Sequence, residues 1–261
     1  MTSKNDLYSN KIFLNAVLPL IKVIVEEDPG INKAFKGKSG KVQISALTEE
    51  EKVGTHYLIE NGEVEVKLGI TEKPDLELEF NSIESFNGFF KGTSKKLPKI
   101  KGIKNLGLLI ATLRALLKMS ALLGATSIPE TEEEKDLLVK LYFYLLSSGI
   151  SQLNKVGHPD VSKWVKRSPD RVYAWAVDGK PDLAAYLRVK AGNSRSARGQ
   201  YTRSKPFFTM RFDSTESALG ILLDIDDMLE STIDEKLIME GAPEFGAQIG
   251  EYMLMVGAYA K

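Results

Sequence analysis

The order of apolar and polar positions in the first half of the chain predicts a mixture of helices and strands. An apolar run from Ile12 to Val25 indicates an opening helix, and VQISAL from Val42 indicates a strand. The triplet Glu60-Asn61-Gly62 lies between two strand-like runs, as expected for a tight hairpin. In PDLELEF from Pro74 the apolar residues alternate with acids, which predicts a strand with one solvated face.

The second half of the chain repeats this order of elements. Residues 158–165 (HPDVSKWV) match residues 28–35 (DPGINKAF), and in both the Pro stands where a helix tolerates it, at its first position. VYAWAV from Val172 matches VQISAL at the same offset, and PFFTMRFDSTES from Pro206 matches PDLELEFNSIES. Gly241 then corresponds to Gly102, before a final apolar helix. The repetition predicts two diverged copies of one α+β domain.

The boundary between the copies is expected near residue 125. Residues 124–134 (GATSIPETEEE) combine small residues, a Pro and an acidic run, as a linker does. We therefore assign residues 1–125 to the first domain and residues 126–261 to the second. Pro19 and Gly149 hold equivalent places in the two opening helices, and both are expected to bend them.

This order of elements resembles the sterol carrier protein type two (SCP-2) family. The residues that carry the resemblance are GEVEVKLG from Gly62, PDLELEF from Pro74, the segment Lys99-Ile100-Lys101-Gly102 and, in the second copy, residues 236–257. The resemblance implies that each domain is a five-stranded twisted sheet covered on one face by helices. It also implies an apolar tunnel between sheet and helices that binds fatty acid, acyl-CoA, sterol or phospholipid without catalysis.

Candidate ligand-contacting residues are the apolar side chains of the helices expected to close each tunnel. Their spacing at i, i+3, i+4 and i+7 is that of a helix with one apolar face. The same stripe also fits a helix that simply packs in a core, and the sequence does not separate the two. The candidates are Phe86, Phe90, Leu106, Ile110, Leu113 and Leu117 in the first copy and Leu222, Phe245, Ile249, Tyr252, Met253 and Met255 in the second.

Charge separates the two copies. The second hairpin carries Arg195, Arg198 and Arg203 with no acid between Tyr186 and Lys205. Our preferred interpretation is a solvated, exposed hairpin, and the alternative hypothesis is contact with anionic headgroups of a membrane surface. Lysines are also clustered over residues 91–104 and acids over residues 224–235. We interpret these as independent solvated loops, and the alternative is that their opposite charges pair two domains or two chains.

Composition limits the other classes of function. Lys+Arg and Asp+Glu both number 35, so no overall field attracts nucleic acid, and we expect no nucleic-acid partner. The absence of Cys fits a cytoplasmic protein, and no run of about 18 apolar residues predicts a membrane span. The two His, His56 and His158, lie far apart in different copies, and no pair of carboxylates has an acid–base arrangement, so we expect no enzyme activity, no cofactor and no metal. The oligomeric state stays open.

Two other functions remain compatible with the sequence. The chain could be a scaffold whose domains are fully packed, or an accessory subunit that presents a lipid-linked substrate to a partner enzyme. Our preferred interpretation is a cytoplasmic carrier of lipids or other apolar small molecules.

Overall fold

The computed structural model describes residues 2–102 and 105–260, and this part of the chain contains ten strands in two five-stranded sheets. The chain separates into two units, one running to Ala121 and including the last residues from Tyr259, the other from Leu122 to Ala258. We call them domain 1 and domain 2. The boundary expected at residue 125 lies a few residues further along, between two helices.

Domain 1 begins with a long interrupted helix and continues into a sheet flanked by helices. Its elements are α1 (Lys4–Ile12), a π-helical turn (Phe13–Val17), a 3-10 turn (Leu18–Leu20), α2 (Ile21–Glu27), α3 (Pro29–Phe35), β1 (Gly40–Leu47), β2 (Lys52–Glu60), β3 (Glu63–Leu68), β4 (Leu76–Phe80), α4 (Ile83–Phe90), β5 (Lys99–Lys101) and α5 (Leu106–Leu123).

Domain 2 follows the same sequence of elements with one additional helix before its last strand. Its elements are α6 (Glu132–Lys155), α7 (Pro159–Arg167), β6 (Arg171–Val177), a 3-10 turn (Pro181–Leu183), β7 (Ala185–Lys190), β8 (Asn193–Arg198), β9 (Phe208–Phe212), α8 (Thr215–Leu222), α9 (Met228–Ile233), β10 (Leu237–Glu240) and α10 (Pro243–Ala260).

The two sheets have the same strand order. It is β3-β2-β1-β4-β5 in domain 1 and, read in the same direction, β8-β7-β6-β9-β10 in domain 2. The central pairs β1–β4 and β6–β9 are parallel, and the other neighbours are antiparallel. The predicted fold class, α+β with two five-stranded sheets packed with helices, is confirmed.

Local sequence signals account for several turns and helix starts. The Asp28 carboxylate accepts a hydrogen bond from the Ile31 backbone N–H at 2.9 Å, so it caps α3. Ser82 and Ser214 cap α4 and α8 in the same way. Asn61 and Gly62 both have positive φ, the conformation of a two-residue hairpin turn.

The expected alignment of the first strands is wrong by one residue. Val42 in β1 pairs with Leu76, whereas the residue of β6 that pairs with the equivalent Phe208 is Tyr173, not Val172. A shift of one residue exchanges the two faces of a strand. Tyr173 and Trp175 consequently lie on the helix-covered face of domain 2, and both are buried.

The two opening helices also differ in their regularity. In the first, a π-helical turn and a 3-10 turn that includes Pro19 separate α1 from α2. In the second, α6 is continuous from Glu132 to Lys155, so Gly149 does not interrupt it. The expected bend at each residue stays a prediction. A Cβ at Gly149 would lie 2.5 Å from Cγ1 of Val256 in α10, so this glycine permits two helices to approach closely.

The face of the domain 1 sheet opposite the helices holds a buried polar network. Glu77 on β4 accepts hydrogen bonds from Gln43 (2.7 Å), Ser45 (2.8 Å) and Lys52 (2.8 Å). Glu79 accepts from Lys52 and from Lys101, the latter at 2.5 Å. Domain 2 has Thr209 and Arg211 at the equivalent positions of β9, so the network belongs to domain 1.

Candidate functional site

Helix α5 of domain 1 has an apolar face toward the protein and a second apolar face toward solvent. The inward face consists of buried residues at helical spacing, namely Leu108, Leu109, Ala111, Thr112, Ala115, Leu116, Met119 and Leu122. The outward face carries four large aliphatic side chains that remain exposed, at Leu106 (58%), Ile110 (52%), Leu113 (38%) and Leu117 (69%). We call these four residues the outer row.

Several contacts fix the orientation of α5. The Asn105 side chain accepts a hydrogen bond from the Leu108 backbone N–H at 3.2 Å and so caps the helix. The Lys118 ammonium lies 3.2 Å from the Asp28 carboxylate, which ties α5 to the start of α3. Leu108 lies against Gly40, where an added Cβ would come within 3.0 Å of it. The outer row therefore faces outward because the opposite side of α5 is held against the domain by Leu108 and by the Lys118–Asp28 ion pair.

The outer row corrects the expectation that these four residues face the sheet. The sequence pattern offers two overlapping stripes, and only the one that includes Ala111 and Ala115 packs inward. Small side chains let a helix approach its neighbours closely, so this stripe has the better packing although it is less hydrophobic. Phe86 is fully buried and Phe90 partly so, within a cluster of phenylalanine rings that includes Phe13, Phe80 and Phe89.

Positive charge accompanies the outer row along the sequence. No acid occurs between residues 91 and 129, whereas this segment contains eight basic residues. Of these, Lys101 pairs with Glu79, Lys118 pairs with Asp28, and Lys104 lies outside the described residues. Lys95, Lys96, Lys99 and Arg114 are exposed, and so are two more apolar side chains, Leu97 (78%) and Ile100 (37%). The segment thus combines exposed apolar and cationic groups.

Two helical stretches, Lys4–Glu27 and Leu106–Leu123, have the length and apolar composition of a membrane-spanning helix. The sequence predicts no membrane span, because that prediction requires an uninterrupted apolar run. Both helical stretches contain charged residues. The first is 72% buried within the protein and the second 39%. Core helices of soluble proteins have similar compositions, so length and composition alone do not make either stretch a membrane span.

In domain 2 the candidate residues lie mainly in the core. Ile249, Tyr252 and Met253 of α10 are buried, and Phe245, Met255 and Leu222 are partly exposed. The Met253 sulfur accepts a hydrogen bond from the Trp175 indole N–H at 3.4 Å. Helix α10 therefore packs on the sheet of its domain through most of the predicted residues. Whether any candidate in either domain contacts a ligand stays a prediction.

The basic hairpin of domain 2 does not present its three arginines together. Arg195 lies on the strand face opposite to Arg198, whose guanidinium is 4.9 Å from the ring centre of Tyr144 in α6. Arg203 is exposed in the following loop. Asp170, outside the acid-free segment, pairs with Arg188 at 2.5 Å and with Lys190 at 3.2 Å. Asp170 thus neutralises part of the positive charge of the hairpin, although it precedes the acid-free segment in the sequence.

The geometry gives no group of side chains an evident catalytic or metal-binding arrangement. Within residues 2–102 and 105–260, no cluster of three or more His, Asp or Glu side chains could hold a metal ion. Burial alone would raise the pKa of Glu77, but hydrogen bonds from Lys52, Ser45 and Gln43 lower it to about 2. A carboxylate held ionised in this way suits a structural ion pair better than proton transfer near neutral pH.

Comparisons with solved structures include a distant resemblance to a possible sterol carrier protein. No protein-family model matches the chain, and no curated protein matches it. The solution structure of a conserved hypothetical protein from Thermus thermophilus, suggested to be a sterol carrier protein, matches with a TM-score of 0.30 and 14% identity. The match covers 52% of this chain and 92% of that protein. At this TM-score it supports no inference about the site.

Proposed function

We propose that this chain binds lipids without catalysis and meets an anionic membrane surface through the outer row of α5. The observation that carries the proposal is the row itself: four large aliphatic residues stay exposed on a helix whose opposite face is anchored in the domain. Contiguous exposed apolar surface on a soluble protein commonly marks an interaction site.

Energetics favour an occupant for this surface. Burying one Leu or Ile side chain contributes about 1.5–3 kcal/mol, so covering the four partly exposed residues contributes several kcal/mol. This gain is comparable with the total stability of a typical domain, about 5–15 kcal/mol. A lipid interface accepts such a helix face without requiring a complementary shape, whereas a protein partner would have to match it.

The neighbouring charges favour an anionic interface. A basic residue close to an anionic bilayer contributes about 1 kcal/mol, and exposed Lys95, Lys96, Lys99 and Arg114 belong to the same acid-free segment as the outer row. An apolar helix face with cationic neighbours is typical of a helix that lies in the plane of a membrane surface. Anionic lipids are concentrated in the cytoplasmic leaflet, so the proposal extends to a cytoplasmic location.

The ligand class follows from the proposed surface. A protein that docks on a bilayer through α5 is placed to accept fatty acid, acyl-CoA, sterol or phospholipid between that helix and its sheet. An acyl chain gains about 0.8 kcal/mol for each buried CH₂, so a site of this kind needs few specific polar contacts. Phe86 and Phe90 on α4 of domain 1, and Phe245, Ile249 and Met253 on α10 of domain 2, are the proposed ligand contacts. An accessory subunit that presents such a lipid to a partner enzyme would bind the lipid through the same residues.

Vesicle co-sedimentation tests the membrane proposal. The protein should sediment with vesicles of phosphatidylcholine and phosphatidylserine and stay largely soluble with phosphatidylcholine alone. Replacing Ile110 and Leu117 with Gln should reduce the bound fraction at least several-fold, since both side chains are exposed and the fold does not depend on them. The matched control replaces two exposed leucines of domain 2, Leu229 and Leu254, with Gln and should bind normally. Equal binding by both double variants would refute the role of the outer row.

A scaffold function is the second candidate, and a feature of domain 2 favours it. Around α9, Ile225 (50%), Leu229 (70%) and Ile233 (72%) are exposed among six acids of residues 224–235. This acidic apolar patch is complementary in charge to the basic apolar segment of α5, so two copies of the chain could associate through them. Light scattering at low and high salt distinguishes a scaffold that associates with a second copy from a protein that binds lipids. A salt-sensitive oligomer that the Leu229 and Leu254 double variant abolishes would favour the scaffold.

A further inference from the structure

Domain 2 contains a groove of about 420 Å³ between α7 and α10, far in sequence from the outer row. The rings of Trp164 and Tyr252 form an aromatic wall, with centroids 5.0 Å apart. Arg167 lies at the end of α7, and Arg171 enters the groove from the start of β6. The groove therefore combines aromatic surface with cations.

Arg171 is held in place by aromatic rings rather than by a carboxylate. Its guanidinium lies 4.0 Å from the ring centre of Phe207 and 4.9 Å from that of Phe245. A guanidinium that lies over a ring keeps its N–H donors, which lie in its own plane, available for another acceptor. Within the described residues, no ion pair occupies Arg171, Arg167 or Lys163, although all three line the groove.

Negative charge is confined to the other end of the groove. Asp160 stands in the first turn of α7, seven positions before Arg167, which corresponds to about 10 Å along a helix. Burial and then the Asp160 charge raise the pKa of Tyr252 to about 12, so this phenol stays protonated at neutral pH. Gln248 lies within 3.5 Å of the same hydroxyl. The groove thus has a cationic end and a neutral-to-acidic end.

A buried hydroxyl behind the aromatic wall is a second sign of an incomplete site. Tyr173 is 1% exposed, and its hydroxyl makes no hydrogen bond of good geometry within the described residues, although Arg171 and Trp164 lie near enough to affect its pKa. Its ring lies 5.3 Å from that of Trp164. Burial raises the pKa of this phenol, and a side-chain interaction with Arg171, together with the Arg171 charge, offsets part of the rise. A buried hydroxyl without a partner is costly, and a bound polar group or water is the usual explanation.

We propose that this groove binds a small molecule in which a carboxylate or phosphate is attached to an aromatic or apolar body. The anion would be held by Arg167, Arg171 and Lys163, and the body would lie against Trp164 and Tyr252. Charge-assisted hydrogen bonds to guanidinium groups fix such anions with defined geometry. The site is independent of the outer row, so failure of membrane binding would leave it intact.

The two tryptophans of the chain provide the measurement. Trp164 lines the groove, whereas Trp175 is fully buried in the sheet and serves as an internal reference. Titration with phenyl phosphate should shift the Trp164 indole N–H signal in ¹⁵N–¹H spectra in a saturable way and leave Trp175 nearly unchanged. Benzyl alcohol tests the body without the anion, and inorganic phosphate tests the anion without the body. Both should bind more weakly than phenyl phosphate.

Variants locate the charges that matter. Arg167→Gln and Lys163→Gln should each weaken phenyl phosphate binding about two- to five-fold, and Asp160→Asn should tighten it by a similar factor. Lys166→Gln is the matched control, because Lys166 is exposed on α7 but does not line the groove. An unmoved Trp164 signal, equal affinity for benzyl alcohol, or equal effects of Lys166→Gln and Arg167→Gln would overturn the proposal. Equal affinity for inorganic phosphate would overturn the role of the aromatic wall.

Discussion

At the scale of single residues, the clearest physical effect is at Glu77. Its carboxylate is 4% exposed yet accepts three hydrogen bonds, one of them from the Lys52 ammonium. An isolated buried carboxylate would take up a proton, whereas this network keeps it ionised. Glu79 shares both lysines, and its pKa is also lowered because hydrogen bonds from Lys101 and Lys52 outweigh burial. The network therefore couples the stability of domain 1 to pH.

We predict that domain 1 loses stability as the pH falls below about 4.5. The pKa of Glu77 is about 2 in the folded protein, against an ordinary value of 4.5, so its stabilising contribution is complete above pH 4.5 and disappears on approach to pH 2. The contribution is at most about 3 kcal/mol. Glu77→Gln should lower the free energy of unfolding at pH 7 and flatten its dependence between pH 4.5 and pH 2. An unchanged slope in urea titrations would contradict this assignment.

Gly149 provides a second test at the scale of single residues. Alanine is intrinsically better than glycine in a helix by about 1 kcal/mol. Gly149→Ala should nevertheless destabilise domain 2 by about 1–3 kcal/mol, because the new methyl would lie 2.5 Å from Val256. Combining it with Val256→Ala should cost less than the sum of the two single changes. Stabilisation by Gly149→Ala would show that the helices are further apart than described.

At the scale of elements, α5 shows how a helix with two apolar sides divides its roles. Leu116 and Leu117 are neighbours in sequence, yet Leu116 is 9% exposed and Leu117 is 69% exposed. The division follows from the anchoring of α5 to the domain through Leu108 and Lys118. Hydrophobicity alone would rank the two leucines equally.

Alanine substitution should separate these two leucines. Leu116→Ala should destabilise domain 1 by about 2–4 kcal/mol, as expected for a buried leucine. Leu117→Ala should change the free energy of unfolding by less than about 0.5 kcal/mol, since it leaves the core intact. Chemical denaturation measures both. Similar losses for the two variants would mean that the outer row is packed rather than exposed.

Elements that depend on local chemistry were predictable from the sequence. Asn61-Gly62 determines a hairpin because both residues tolerate positive φ, and Ser82 determines a helix start because its hydroxyl accepts a backbone N–H. Two features depended on tertiary packing instead. VYAWAV is apolar at nearly every position, so alternation does not fix which side of β6 faces inward. In α5 the selection of the alanine-containing face depends on how closely that helix approaches its neighbours.

At the scale of the whole molecule, the two domains share a strand order but differ in the surfaces they offer. Domain 1 has the outer row and exposed lysines, whereas domain 2 has the groove between α7 and α10 and the acidic patch around α9. We infer that a common scaffold serves two different contacts, one with a membrane surface and one with a small anion. Because the two surfaces differ, a candidate site in one half of the sequence does not predict an equivalent site in the other half.

The most direct test of membrane contact uses the absence of cysteine in the chain. A single cysteine introduced at Ile110 and labelled with the environment-sensitive dye NBD reports on the outer row, and one at exposed Glu50 in the β1–β2 turn of the same domain is the control. On addition of vesicles containing phosphatidylserine, the label at residue 110 should shift to shorter wavelength and gain intensity, while the label at residue 50 stays unchanged. An unchanged spectrum at residue 110 under conditions where the protein sediments with vesicles would contradict the account.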